Sequence, residues 1–271
     1  MIQINAQKLT ALMGTPLREI EEEFVSMAEM QRKIMPEPHR VRTFGDYDIY
    51  GGTLPVTSIG GDFYDFIDLE HFGIEGRMGF VIADASGHGL SAAMLVRDFN
   101  TALFTGISFE SHYAHDTTPL LFEKINGRMF RSSLPNQFIT AFYGELRPDG
   151  SLHYINAGHH SPLIFRGDQV LELTTGGLML GAFLNPPGGY QTGHLKMQPD
   201  DLLVAFTDGI IESTNPSGEE YGLDRLRQEL SDQRGASVRE MFSRIMRDLE
   251  SHMAGSRQAD DQTLIVIRRR G

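Results

Sequence analysis

The chain has 271 residues, with 24 Lys+Arg against 36 Asp+Glu, giving a formal charge of −12 at pH 7. With 40% hydrophobic and 22% charged residues it reads as a soluble globular protein, long enough for one large domain or two small ones. The acidic balance argues against a nucleic-acid binder working through a broad basic surface, and the absence of Cys excludes disulfides, thiolate zinc sites and cysteine nucleophiles. The first residues, MIQINAQKLT, carry no basic region followed by an apolar core, and no apolar run approaches the roughly 18 residues of a membrane helix. A cytoplasmic location without a membrane segment is therefore expected.

Residues 1–38 form a first segment. Thr15-Pro16 reads as an N-cap with Pro at the first helical position. Leu17, Ile20, Phe24, Met27, Gln31 and Ile34 then recur at alternating spacings of three and four, a heptad seam with one polar position. Pro36 and Pro38 end the helix. Two readings stay open: an amphipathic helix lying on its own domain, or a short dimerising or signalling helix.

From about residue 39 the pattern changes. Strands are expected over 47–57, 78–84, 137–146, 151–156, 162–166, 169–173, 193–197, 201–207 and 262–269. Hairpin signals lie at Pro148-Asp149-Gly150 and Gly167-Asp168. Helices are expected over 89–104, 119–131, 223–230 and 238–252, and 214–222 (TNPSGEEYG) reads as an exposed loop. Many hairpins with helices in two separate pairs indicate antiparallel sheets covered by helices, not a doubly wound parallel sheet.

Aspartates recur at the ends of apolar strands. Asp62 lies in IGGDFYDF, Asp84 ends GFVIAD, Asp208 ends LLVAFTD, and Asp260-Asp261 precede QTLIVI. One such Asp is an ordinary turn former or cap. Several together need a cation, because two unit charges about 4 Å apart repel by about 4 kcal/mol at an effective dielectric of about 20. Oxygen ligation without Cys suits hard ions, Mg²⁺ or Mn²⁺, and two such ions can support in-line phosphoryl displacement. Spacing alone leaves a phosphoesterase, a nuclease and a structural metal site open.

The ordered set GGDFYDF at 60–66, VIADASGHGLSAAM at 81–94, NAGHHSPL at 156–163, AFTDGIIES at 205–213 and ADDQTLIVI at 259–267 resembles the PPM (type 2C) metal-dependent serine/threonine phosphatases, in particular their bacterial SpoIIE/RsbU-like branch. The resemblance runs from about residue 39 to 271, and AEMQRKIMP at 28–36 is similar to the linker of that branch. It implies an α+β fold: a central β-sandwich of two antiparallel sheets flanked by helix pairs (αββα), here with a short N-terminal helix. It also implies two cations, Mn²⁺ or Mg²⁺. Asp84 would bridge them and the carbonyl of Ala85 would add a ligand. Asp62 would bind near the second ion, directly or through water. Asp208 and Asp260 would hold the first. Asp261, at a position that is commonly Asn in the wider family, would support them.

His88 falls four residues after Asp84, where the eukaryotic-type motif places its His two after. A loop-structuring or substrate-facing role is expected for it ahead of general acid. Adjacent side chains on a strand point to opposite faces, so His159 and His160 are not expected to share a metal; a turn with His159 hydrogen-bonded is expected. Arg97, Arg128 and Arg131 are candidate phosphate clamps that no motif singles out.

By resemblance, the substrate is a phosphorylated STAS-domain anti-sigma-factor antagonist in bacterial stress or developmental signalling. Two alternatives remain: a silent pseudophosphatase acting as an interaction module, and a metal-dependent nucleotide phosphodiesterase. Residues 17–35 are expected to form a homodimer or to receive an upstream regulator. The whole acidic excess lies in 39–238, so attraction for a phosphate has to be local.

Overall fold

The computed structural model describes residues 17–36, 40–87, 89–110, 118–231 and 235–271. The Thr15-Pro16 cap, Pro38 and His88 lie outside the described residues. In chain order the elements are α1 (Leu17–Ile34), β1 (Arg42–Phe44), β2 (Tyr47–Leu54), β3 (Asp62–Asp68), a short 3-10 helix (Leu69–Phe72), β4 (Met78–Ala85), α2 (Leu90–Glu110), α3 (Thr118–Ser132), β5 (Ile139–Leu146), β6 (Ser151–Ala157), β7 (Leu163–Arg166), β8 (Gln169–Glu172), β9 (Gly176–Gly177), β10 (Gly193–Lys196), β11 (Leu202–Phe206), α4 (Asp208–Ile211), α5 (Leu223–Ser231), α6 (Val238–Met253) and β12 (Gln262–Arg269).

Two sheets result. One has the order β1-β2-β12-β11-β7-β8 and the other β10-β6-β5-β4-β3, with two-residue β9 added parallel to β6. The other pairings between these strands are antiparallel. Both hairpin signals hold. At Pro148-Asp149-Gly150 the Gly150 N–H closes a turn on Arg147 O at 3.0 Å, and Arg166 pairs with Gln169 across Gly167-Asp168.

Alternation along each strand builds three core layers. On β4, Phe80 and Ile82 face between the sheets while Val81 and Ala83 face α2 and α3. On β12, Ile265 and Ile267 face inward while Leu264 and Val266 meet α5 and α6. Both faces of each central strand are thus buried, which is why these strands read as continuous apolar runs. The result is the αββα sandwich that the motif resemblance implies.

Segment 62–68 carries a motif but no strand pattern in sequence, and it forms β3. Three Asp in seven residues lower its strand propensity, and pairing with β4 overrides that. Helix α2 runs six residues past its expected end at 104. The C-terminal half of α1 lies on its own domain: Ala28 packs with Ile59 and Ala93, and Ile34 and Met35 meet the core beneath α2 and α3.

The inter-sheet layer tolerates no extra volume at Gly144 on β5. A Cβ there would lie 2.5 Å from the ring of Phe80, its cross-strand neighbour. Gly144→Ala is expected to cost about 1–3 kcal/mol, read as a lower midpoint in urea unfolding.

Candidate metal centre

Register and strand ends assemble the site. Asp62 opens β3, Asp84 stands next to last on β4, and the antiparallel pairing sets them directly opposite. On the other sheet, β11 ends just before Thr207-Asp208, and β12 begins just after Asp260-Asp261. The two strands are antiparallel neighbours, so these ends lie side by side, with the Thr207 N–H donating to Thr263 O at 3.1 Å.

Asp62 joins the sheets. Its Oδ2 accepts from the Thr207 hydroxyl at 2.8 Å and from the Thr263 hydroxyl at 2.5 Å. Burial, and then the charge of Asp84, push the Asp62 carboxyl well above the usual range, against the opposing effect of the two hydroxyls. Asp84 is pushed up to about 7, first by burial and then by Asp208, Asp260, Asp261 and Glu212.

Asp84, Ala85, Asp208 and Asp260 line one cavity of about 560 Å³, together with Thr140 and His160. No Arg or Lys is among its described lining residues. Asp208 Oδ1 is buried and has no hydrogen-bond partner among the described residues. Such a set of carboxylates and a carbonyl, crowded and without a protein cation, fits a hard divalent metal.

Asp261 is placed differently. Its Oδ1 accepts from Val56 N at 2.7 Å, and its Oδ2 accepts from Gly61 N at 2.7 Å and Asp62 N at 3.3 Å. Its carboxylate thus folds the 56–62 loop around itself. A Cβ on Gly60 would lie 2.2 Å from that Oδ2, so the close approach requires glycine. Asp260 Oδ1 accepts from Asp261 N at 2.8 Å.

His159 is buried, its Nδ1 is 2.9 Å from the Thr140 hydroxyl, and its N–H donates to Asn156 Oδ1 at 2.7 Å. Burial, and then neighbouring His160, lower its pKa to about 3, so the ring is neutral. His160 is exposed and stacks on Phe206. Ligand atoms of His160, Asp208 and Glu212 lie within 4.8 Å of one another. Glu212 was not singled out in sequence, although its spacing of four from Asp208 places both on one face of a helical turn. Thr207, Thr263 and Thr140 carried no signal at all. Arg97 and Arg128 line a separate cleft against α1, and Arg128 pairs with Asp98 at 2.8 Å.

A raised carboxyl pKa means that the folded state binds more protons than the unfolded one between the ordinary value and about 7. Stability of the EDTA-stripped protein is therefore expected to fall as pH rises through that window. Asp84→Asn is expected to remove much of this slope and to raise the metal-free melting temperature at neutral pH by about 5 °C. A metal-free Asp84→Asn protein melting at or below wild type would contradict the repulsion.

The sequence profile of Stage II sporulation protein E (SpoIIE) matches residues 74–270, which include Asp84, Ala85, Asp208, Asp260 and Asp261 but not Asp62. Protein IcfG of Synechocystis sp. is 27% identical over 239 residues, covering 79% of this chain and 37% of IcfG. Phosphoserine phosphatase RsbP of Bacillus subtilis is 23% identical over 223 residues, covering 78% of this chain and 49% of RsbP. The chain therefore spans less than half the length of each of these curated relatives. Among solved structures, the SiaA-PP2C domain of Pseudomonas aeruginosa superposes with a TM-score of 0.76 at 21% identity, covering 93% of this chain and 97% of that domain, a likeness of fold. With the profile matching well over half of its residues, the chain belongs to the SpoIIE family of PP2C-type phosphatases.

Proposed function

We propose that the chain is a Mn²⁺- or Mg²⁺-dependent protein serine/threonine phosphatase, with Asp62, Asp84, the Ala85 carbonyl, Asp208 and Asp260 holding two cations. The observation that carries this reading is the crowding of Asp84, Asp208 and Asp260 in one cavity with no Arg or Lys among its described lining residues. Two bound cations would supply a water of lowered pKa and neutralise charge on the phosphoryl oxygens. The protein's own task is placement. Asp62 is fixed from the opposite sheet by two threonine hydroxyls, and Asp261 orders the loop that carries it. Neutral His159 braces Thr140 at the cavity wall.

A phosphorylated protein is the proposed substrate. Relative RsbP, a phosphoserine phosphatase, supports phosphoserine. A STAS-domain anti-sigma-factor antagonist is the proposed protein, in the cytoplasm, with α1 receiving an upstream regulator or a second copy. Among the described residues no helix is long and apolar enough to cross a membrane.

Hydrolysis of p-nitrophenyl phosphate is expected to require Mn²⁺ or Mg²⁺ and to stop with EDTA. Asp84→Ala and Asp208→Ala should each lower kcat/KM by about a hundredfold or more, equivalent to about 3 kcal/mol of transition-state stabilisation. Full activity in either variant would overturn the proposed centre. Parallel assays on a phosphoserine STAS protein and a cyclic dinucleotide separate a protein phosphatase from a phosphodiesterase.

A further inference from the structure

We infer that Gln31 is a positioning residue of the metal centre: from α1 it grips the Gly60 peptide, and through it sets Asp62 and Ala85. This rests on the reading above that those residues hold a divalent cation.

The single amide of Gln31 takes both polar groups of one residue. Its Nε2 donates to Gly60 O at 2.7 Å and its Oε1 accepts from Gly60 N at 3.0 Å. Two opposed bonds on one residue fix its rotation as well as its place, as a neighbouring strand would. On the other side of Gly60 stands the Asp261 carboxylate, close enough that a Cβ would collide with it. Gly60 is thus held between Gln31 and Asp261.

The next two residues extend the grip to the ligands. Gly61 donates to Asp261 and its carbonyl accepts from Ala85 N at 3.0 Å, while Asp62 N donates to Asp261. Shifting the Gly60 peptide therefore moves both Asp62 and Ala85. Gly60-Gly61 has no side chain to pack and wide backbone freedom, so these bonds are what define its conformation. Position 31 is also the polar break in the apolar seam of α1. Beside it, Ala28 seats the helix on Ile59, the residue preceding Gly60, and on Ala93 of α2.

The test uses the full chain, stripped with EDTA, as wild type, Gln31→Leu and Gln31→Glu. Mn²⁺ affinity is read by calorimetry and the 56–62 amides by hydrogen exchange. Loss of the two bonds in Gln31→Leu is expected to weaken Mn²⁺ binding about tenfold and to speed exchange at Gly61 and Asp62. Activity on p-nitrophenyl phosphate should fall at low Mn²⁺ and return at saturating Mn²⁺, which a merely structural lesion would not do. Gln31→Glu keeps an acceptor for the Gly60 N–H and should lose less. Unchanged Mn²⁺ affinity in Gln31→Leu, even with a lower melting temperature, overturns the proposal alone. A wild type that binds no Mn²⁺ overturns the metal centre itself, and the proposal with it.

Discussion

Mutual repulsion among carboxylates at one end of the sandwich is the constraint that organises this molecule. Asp62 and Asp84 come from one sheet, Asp208 and Asp260 from the ends of strands in the other, and burial of Asp62 and Asp84 leaves their charges weakly screened. Their separation is set by how the two sheets stack. That stacking rests on the layer between them, where Phe80, Phe142 and Tyr154 of one sheet share a core with Ile164, Leu203 and Ile265 of the other. The site's geometry is therefore a property of the core, and a change in core volume reaches the carboxylates without touching them.

Hydrogen-bond donors sort the aspartates by role. Asp261 takes three backbone N–H groups, and Asp62 takes two hydroxyls from the facing sheet. Asp208 keeps a buried oxygen for which no described residue supplies a donor. Carboxylates satisfied by the protein hold its parts together, and those left without donors are the ones suited to a cation. Asp62 stands opposite Asp84 and is held from the facing sheet, which ties the sheet-to-sheet contact to the carboxylates at its edge.

Much of this was legible in sequence. Strand 262–269 has its observed bounds, and most other strands lie within two or three residues of theirs, because burial on both faces leaves unbroken apolar runs closed by turn residues. The strand-end aspartates could be read as convergent for the same reason. What escaped was whatever depends on pairing across the chain. β3 shows no strand pattern of its own and exists because β4 templates it. The donors that separate Asp261 from Asp208 lie some 200 residues away in one case, at Gly61, and among the described residues nowhere in the other. Gln31 looked like a flaw in a heptad, and its partner, a glycine peptide, has no side chain to advertise the contact.

Strand order has a consequence for how the protein is made. β12 follows every other described strand in the chain, yet it lies in the middle of its sheet, between β2 and β11. Until it emerges from the ribosome, that sheet is split into two halves with open edges, and Asp260 and Asp261 are missing from the site. The long-range pairing of β2 with β12 closes the sheet only as synthesis nears residue 269. A nascent chain that ends before β12 therefore lacks Asp260 and Asp261 and cannot bring the carboxylate cluster together.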